Sequence, residues 1–370
     1  MIDDPAARRT LRLGIGVSLA LGLGQAFGWT AHAITAIIAS GLLTLPLPAP
    51  SLRLALSIVT KIVLSLGVGV LLLVPTLEQP LLGLFLVGVL LFATSYAASI
   101  GKIGSLDFTL IAMGLLIIPA LGATNIHLAV AAAKGVAFSS MIVFPCIWVA
   151  YALLPEPLFH KIPIPPPAFD RRKDAAIHAL RPVVVVMPVY LWFFFAHDTY
   201  SYAVVLLKSV LIAQQAENAR GWQLAKDELK ATLIGGLIAV TIWELLRIWP
   251  ALAWYVILTF LSAMFIGNRL FGGKGKEGTG HMWGYAFTTS IAINASAVTG
   301  GGFGDYAMTG DEVYFMRVGM FLFVTVYGMF AVLVVDDWID RRRRKRRLAR
   351  ERKLARRLPS PGATQPGSAS

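Results

Sequence analysis

The chain has 370 residues, of which 56% are hydrophobic and only 14% are charged, and its mean hydropathy is +0.69. A water-soluble domain carries about 25% charged residues, so this composition excludes an ordinary soluble protein and points to an integral membrane protein. The net charge of +13 is concentrated at one end: between Arg341 and Arg357 twelve basic residues stand against Glu351, which leaves about +2 for the rest.

In chain order, Arg8, Arg9 and Arg12 precede an apolar run to Phe27 and then Ala31-His32-Ala33, the outline of a secretory signal peptide. The run is long for that role and a second apolar run follows at once, so an uncleaved first span is expected. Apolar runs of about 20 residues recur, as helical spans require, and nothing has the short alternating pattern of an outer-membrane barrel. Twelve spans are predicted, at residues 11–28, 31–47, 54–74, 80–99, 106–123, 128–154, 182–197, 200–216, 231–249, 251–267, 283–299 and 314–337. The longest polar interruption, residues 155–181, holds Pro155, Pro157, Pro163, Pro165, Pro166 and Pro167 and then Asp170, Arg171, Arg172, Lys173 and Asp174. Prolines at that density forbid a continuous helix. They divide the chain into a first membrane unit at 8–154, a cytoplasmic proline-rich and basic linker at 155–181, a second membrane unit at 182–338 and a basic tail at 339–370, disordered at its end. Pro119, Pro145 and Pro188 fall within spans and are expected to kink them.

The charges between spans give an orientation. With the N-terminus in the cytoplasm, the inner gaps hold Arg53, Lys102, Lys161, Arg220, Lys226, Arg269 and the tail, while the outer gaps hold Glu78, His127, Asp198, Asp305 and Glu312. This is the positive-inside pattern with both termini inside.

The two units resemble one another. A shift of 169 brings Leu11-Arg12 onto Leu180-Arg181, Thr30 onto Thr199, Ser40 onto Ser209, Leu42 onto Leu211, Lys61 onto Lys230 and Gly67 onto Gly236. After the glycine-rich insertion between Gly267 and Gly280, a shift of 183 brings Lys134 onto Arg317. Six spans per unit is an even number, so the expected fold class is an all-α integral membrane protein of two parallel six-helix repeats, related by an axis along the membrane normal.

Two six-helix halves that each open at an arginine, the run Ala33-Ile34-Thr35-Ala36-Ile37-Ile38 on the second span, and Ala231-Thr232 with Gly235 in the second half carry a family resemblance. Over residues 8–338 the chain resembles the fusaric-acid-resistance and aromatic-acid-exporter (FUSC-like) superfamily. It departs from that pattern in having no sizeable cytosolic domain after either half and no Gly-Thr dipeptide at the glycine motif, which marks a compact branch. The resemblance implies export of small aromatic or amphipathic organic acids across a bacterial inner membrane, with a periplasmic adaptor protein and an efflux assembly as partners.

An ionised side chain within a span costs about 2.5–3.5 kcal/mol on insertion scales, so such groups face a partner or a wet cavity. Lys134, Lys208 and Arg317 are the candidates for binding a substrate carboxylate, Arg317 with the geometry to grip it bidentately. Lys134 and Arg317 have the alternative of snorkelling to the outer headgroups, and Lys208 that of a structural pair. Glu244 is a candidate proton-coupling carboxylate or the counter-ion of Lys208 or of Arg247, which is three residues on and would make a local ion pair. Asp107 is expected to cap or begin a helix; Lys61 and Lys230 are expected to anchor helix starts. Gly272–Gly280 and Gly300–Gly304 lack the strand and Lys-Ser/Thr of a phosphate loop. The six histidines show no metal-ligand spacing and no catalytic triad is legible, so no cofactor, no metal and no enzyme activity are expected.

The tail from Asp340 to Arg357 is expected to be a basic helix on the inner leaflet, attracted by anionic lipid, or simply a positive-inside anchor for the last span. Without interleaved aromatic residues it has no nucleic-acid signature. The function expected from sequence is proton-coupled export of small organic acids or toxic compounds. The alternatives are a non-transporting scaffold or accessory subunit of an efflux assembly, and a membrane enzyme acting on lipid. The substrate and the existence of a homo-oligomer stay open.

Overall fold

The computed structural model describes residues 4–28, 33–45, 48–155, 171–195, 206, 208–210, 221–272, 280–298 and 310–355. These are helices joined by short turns, with no strand among the described residues. The helices are α1 (Pro5–Phe27), α2 (Ala33–Leu43), α3 (Leu52–Leu71), α4 (Leu73–Glu78), α5 (Pro80–Ser99), α6 (Ser105–Thr124), α7 (Ile126–Leu153), α8 (Arg171–Phe195), α9 (Gly221–Ile248), α10 (Leu252–Phe271), α11 (Gly280–Val298) and α12 (Gly310–Ala355). Leu206 and Lys208 to Val210 are also helical.

Local chemistry sets many of the ends. Asp4, Ser51 and Asn125 are N-caps whose side chains accept from the backbone N–H groups of Ala6, Leu54 and His127, satisfying donors that the first turn leaves free. Gly28 closes α1 at φ 62°, a left-handed conformation that favours glycine. Asp107, in the first turn of α6, accepts from the Gly104 N–H, as expected of a first-turn acid.

Eight stretches are long and apolar enough to cross a membrane: α1, α3 with α4, α5, α7, most of α8, most of α9, α10 and the Tyr314–Val335 part of α12. Four expected segments differ. The span expected at 31–47 is an 11-residue helix, about 16 Å long, because prolines at 46, 48 and 50 prevent its continuation. Helix α8 begins at Arg171 and α9 at Gly221, well before the spans expected at 182 and 231, so the linker's last residues are helical. In α9 the charges sort by face: Lys226 and Lys230 are exposed while Glu228, Ala231 and Thr232 are buried. The basic tail is not a separate helix as far as Ala355. It continues α12, with no proline to break it, and Asp337 accepts from Arg341 one turn on at 2.6 Å. That hydrogen bond and the adjacent charge raise the Arg341 guanidinium above its ordinary pKa. The span expected at 200–216 falls largely outside the described residues, as do residues 156–170.

Many large apolar side chains lie on the outer surface, while many small and polar ones are buried between helices. Leu71, Leu81, Trp192, Leu237, Ile248 and Phe330 are all more than 65% exposed. Thr10, Arg12, Ser18, Thr35, Ser40, Ser65, Ser139 and Thr259 are buried. A water-soluble surface does not carry an apolar belt of this kind, whereas a bundle in lipid buries its small and polar residues between helices. One continuous core runs from α1 to α12.

The packing is reciprocal. Helix α1 lies against α10, and α5 lies against α8. Helix α3 crosses α6, and α9 crosses α11. These crossings are close because of glycine: a Cβ on Gly69 would collide with the Gly114 carbonyl, and one on Gly235 with the Ala286 carbonyl. Helix α2 lies against α1, α7 and α11, and α12 against α9 and α8.

Candidate functional site

The second crossing carries the site. On α9 the residues Glu228, Ala231, Thr232, Gly235 and Ala239 recur every three or four positions and are all buried, forming one small-residue stripe. Glu228 shares the phase of that stripe, and helical periodicity therefore carries its carboxylate inward. On α11 the same spacing aligns Ala286, Thr289, Ser290, Ile293 and Asn294, also buried.

Lys208 meets both helices. Its ammonium forms an ion pair with Glu228 and donates to the Thr289 hydroxyl at 3.1 Å. Lys208 is 6% exposed and Glu228 is 3% exposed. Next to Lys208, the Ser209 hydroxyl donates to the Leu206 carbonyl at 2.7 Å. One turn along α9 from Glu228, the Thr232 hydroxyl donates to the Glu228 carbonyl at 2.9 Å and lies 3.2 Å from the Thr325 hydroxyl of α12. Further along α11, Asn294 uses one end of its amide to meet the Tyr314 hydroxyl at 3.4 Å. Its other end is buried with no hydrogen-bond partner among the described residues. Tyr314 stacks on Trp243 with ring centroids 4.7 Å apart. The result is a cation, a carboxylate, five hydroxyls and an amide end unpaired among the described residues, set between otherwise apolar helices; its N–H and O–H donors are of the kind that suit an anionic group.

Sequence reasoning singled out Lys208, and the structure gives it the buried partner that reasoning lacked. Glu228 was missed because Lys226, Asp227, Glu228 and Lys230 together read as a polar loop; its phase with Ala231, Thr232 and Gly235 was the available signal. Glu244 and Arg247 pair with each other at 3.3 Å, each about half exposed, so of the two roles read for them the local ion pair is the one this geometry provides. Lys134 is on an exposed face of α7 and makes no ion pair or hydrogen bond with a described residue. Arg317 is in the helical backbone of α12, and its side chain lies outside the described residues. The structure thus brings neither Lys134 nor Arg247 to Lys208.

Three further cations expected from sequence have definite positions. Lys61 pairs with Asp107 at 2.7 Å, tying α3 to the first turn of α6. Arg12 and Arg181, which coincide under the shift of 169, are each 3% exposed, and the Arg12 guanidinium lies 4.1 Å from the centre of the Tyr151 ring. Among the described residues no cluster of His, Cys, Asp or Glu could hold a metal ion.

The fold and site define the class of an all-helical, multi-pass membrane protein with a buried charge pair. No protein-family model, no curated protein and no solved structure matches the chain, and the resemblance to the fusaric-acid-resistance superfamily rests on its sequence motifs alone.

Proposed function

We propose that this chain is a membrane transporter of small organic anions, in which Lys208 receives the anion's carboxylate. The observation that carries the reading is the Lys208–Glu228 pair, buried between membrane helices and bonded to Thr289. Apolar side chains in place of a buried ion pair are often neutral or stabilising by about 1–4 kcal/mol. Stability alone therefore does not account for two charges here, and intramembrane ionisable groups mark substrate and ion pathways. The short helix α2 adds support. The helical residues Leu206 and Lys208 to Val210 correspond to part of it under the shift of 169, and Ser40 donates to Ile37 as Ser209 donates to Leu206. Short or interrupted hydrophobic segments such as α2 accompany binding sites in transporters built from repeats.

The layout that goes with this function has twelve membrane segments in two parallel six-helix repeats, with α2 too short to cross by itself. Its support is reciprocal packing: the first helix of each half lies on the fourth of the other, α1 on α10 and α8 on α5. Those fourth elements, α5 and α10, are each 20 residues long. Both termini are cytoplasmic in this reading, from the distribution of Lys and Arg, and the membrane is a bacterial inner membrane. Export as the direction, aromatic or amphipathic acids as substrates and a periplasmic adaptor as partner follow from the sequence resemblance.

Cysteine accessibility tests the site. In a Cys146→Ser background, Thr289→Cys is expected to react with a water-soluble thiol reagent and to be protected by millimolar benzoate or lactate. A Thr289→Cys thiol that stays unreactive in the folded, membrane-embedded protein would favour a sealed structural pair and a scaffold.

A further inference from the structure

We infer that the Lys208–Glu228 pair makes each bound monovalent anion travel with one proton, in the same direction. This rests on the transport reading above and adds the co-transported ion, the residue that carries it and the sign of the coupling.

The argument is charge balance. In the empty site the Lys208 ammonium is neutralised by the Glu228 carboxylate, both nearly excluded from solvent. An anion that takes Lys208 displaces Glu228, and two anions then share one cation. Removing the partner of a buried charge is strongly unfavourable, and two carboxylates at one site raise the proton affinity of one of them. Neutrality returns when Glu228 takes a proton from hydronium of the adjoining solution: one O–H bond of hydronium breaks, one forms on the carboxylate, and a water molecule is left. On release the proton leaves Glu228 and the carboxylate pairs with Lys208 again. The site thus has two neutral forms, the empty pair and the complex with anion and proton together.

The surroundings favour Glu228 as the proton carrier. On its own helix Lys226 and Lys230 are exposed and Asp227 is half-buried. The described residues packed against this part of α9 from α11 and α12 include Met282, Ala286, Thr289 and Thr325, all uncharged. From α10, Arg269 lies over the Phe265 and Trp283 rings at 5.0 and 5.1 Å. Glu244, the carboxylate that sequence reasoning offered for this role, is half exposed and already paired with Arg247.

The sign decides the driving force. A proton that moves with the anion opposes export under an inward proton gradient. Export then runs on the acid's own concentration gradient, as an electroneutral pair, and an excess of acid outside drives uptake.

The experiment uses the full chain in proteoliposomes with a pH dye in the lumen, the membrane potential clamped, and benzoate, lactate and benzenesulfonate as probes. Benzenesulfonate stays ionised at working pH, so a proton that accompanies it is carried by the protein. Flux through protein-free vesicles is subtracted. The expected result is that an outward gradient of a transported probe makes the lumen alkaline, with about one proton lost per anion. Glu228→Gln is expected to lose the pH change, and Glu228→Asp, which keeps the carboxylate, to retain it. Lumen acidification during anion exit, anion flux without a pH change, or coupling that survives in Glu228→Gln would each overturn the inference while leaving transport standing. No flux of any of the three probes through the wild type would overturn the transport reading, and the coupling with it.

Discussion

At Lys208 the ammonium has two partners on two helices, and removing either charge of the pair has a different consequence from removing both. Lys208→Ala leaves the Glu228 carboxylate buried without its cation, a loss of about 3–5 kcal/mol. The double variant Lys208→Ala/Glu228→Ala leaves no buried charge and is expected to unfold at a higher temperature than the single variant. A thermal-unfolding series on the purified protein reads this directly, and a double variant less stable than Lys208→Ala would contradict the pairing. Glu244 offers the contrast. Its pair with Arg247 is half exposed, and exposed pairs contribute about 0–1 kcal/mol. Glu244→Gln is therefore expected to leave both unfolding temperature and anion flux close to wild type; a large loss of flux would return Glu244 to the site.

At the scale of the helix, the site depends on the distance between α9 and α11. Gly235 sits where those helices touch, so close that an added Cβ would meet the Ala286 carbonyl and, at 3.0 Å, the Thr289 Cβ. Gly235→Val is expected to force the crossing apart, at about 1–3 kcal/mol for overpacking, and to move Thr289 away from Lys208. Gly236, its neighbour, meets nothing within 4 Å, so Gly236→Ala is the matched control with near-normal flux and unfolding temperature. Equal damage by both substitutions would mean that the crossing does not set the site.

The same helices show what a sequence can and cannot reveal. Helices α5, α6, α7 and α10 were legible because each is a nearly uninterrupted apolar run between polar or proline-bearing turns. The starts of α8 and α9 were not, because hydropathy counts charges regardless of the face they occupy, and Glu228 and Lys230 point opposite ways on one helix. Lys208 stood out as a lone cation in an apolar run. Its contact with Thr289, distant in sequence, depends on tertiary packing that local pattern does not encode. The continuity of α12 into the tail was readable from the lack of proline, but the change from apolar to basic composition read as a boundary.

In the molecule as a whole, the helices exchange partners across the middle of the chain. Helix α1 packs on α10 and α8 on α5, so neither half completes its own surface, and the ion pair is built from the second half while α2 of the first half reaches the same α11 through Ser40 and Thr288 at 3.2 Å. Motion of one half against the other would therefore bear directly on the helix that carries Thr289. The role of the buried pair is tested by outward flux of benzoate, lactate and benzenesulfonate from proteoliposomes, comparing wild type with Lys208→Ala/Glu228→Ala at matched protein content. Saturable flux of at least one anion is expected in the wild type, and its loss, by tenfold or more on the order of one hydrogen-bonded charge contact, in a double variant that remains folded. Wild-type flux that persists undiminished in that variant would contradict the assignment of the buried pair as the transport site.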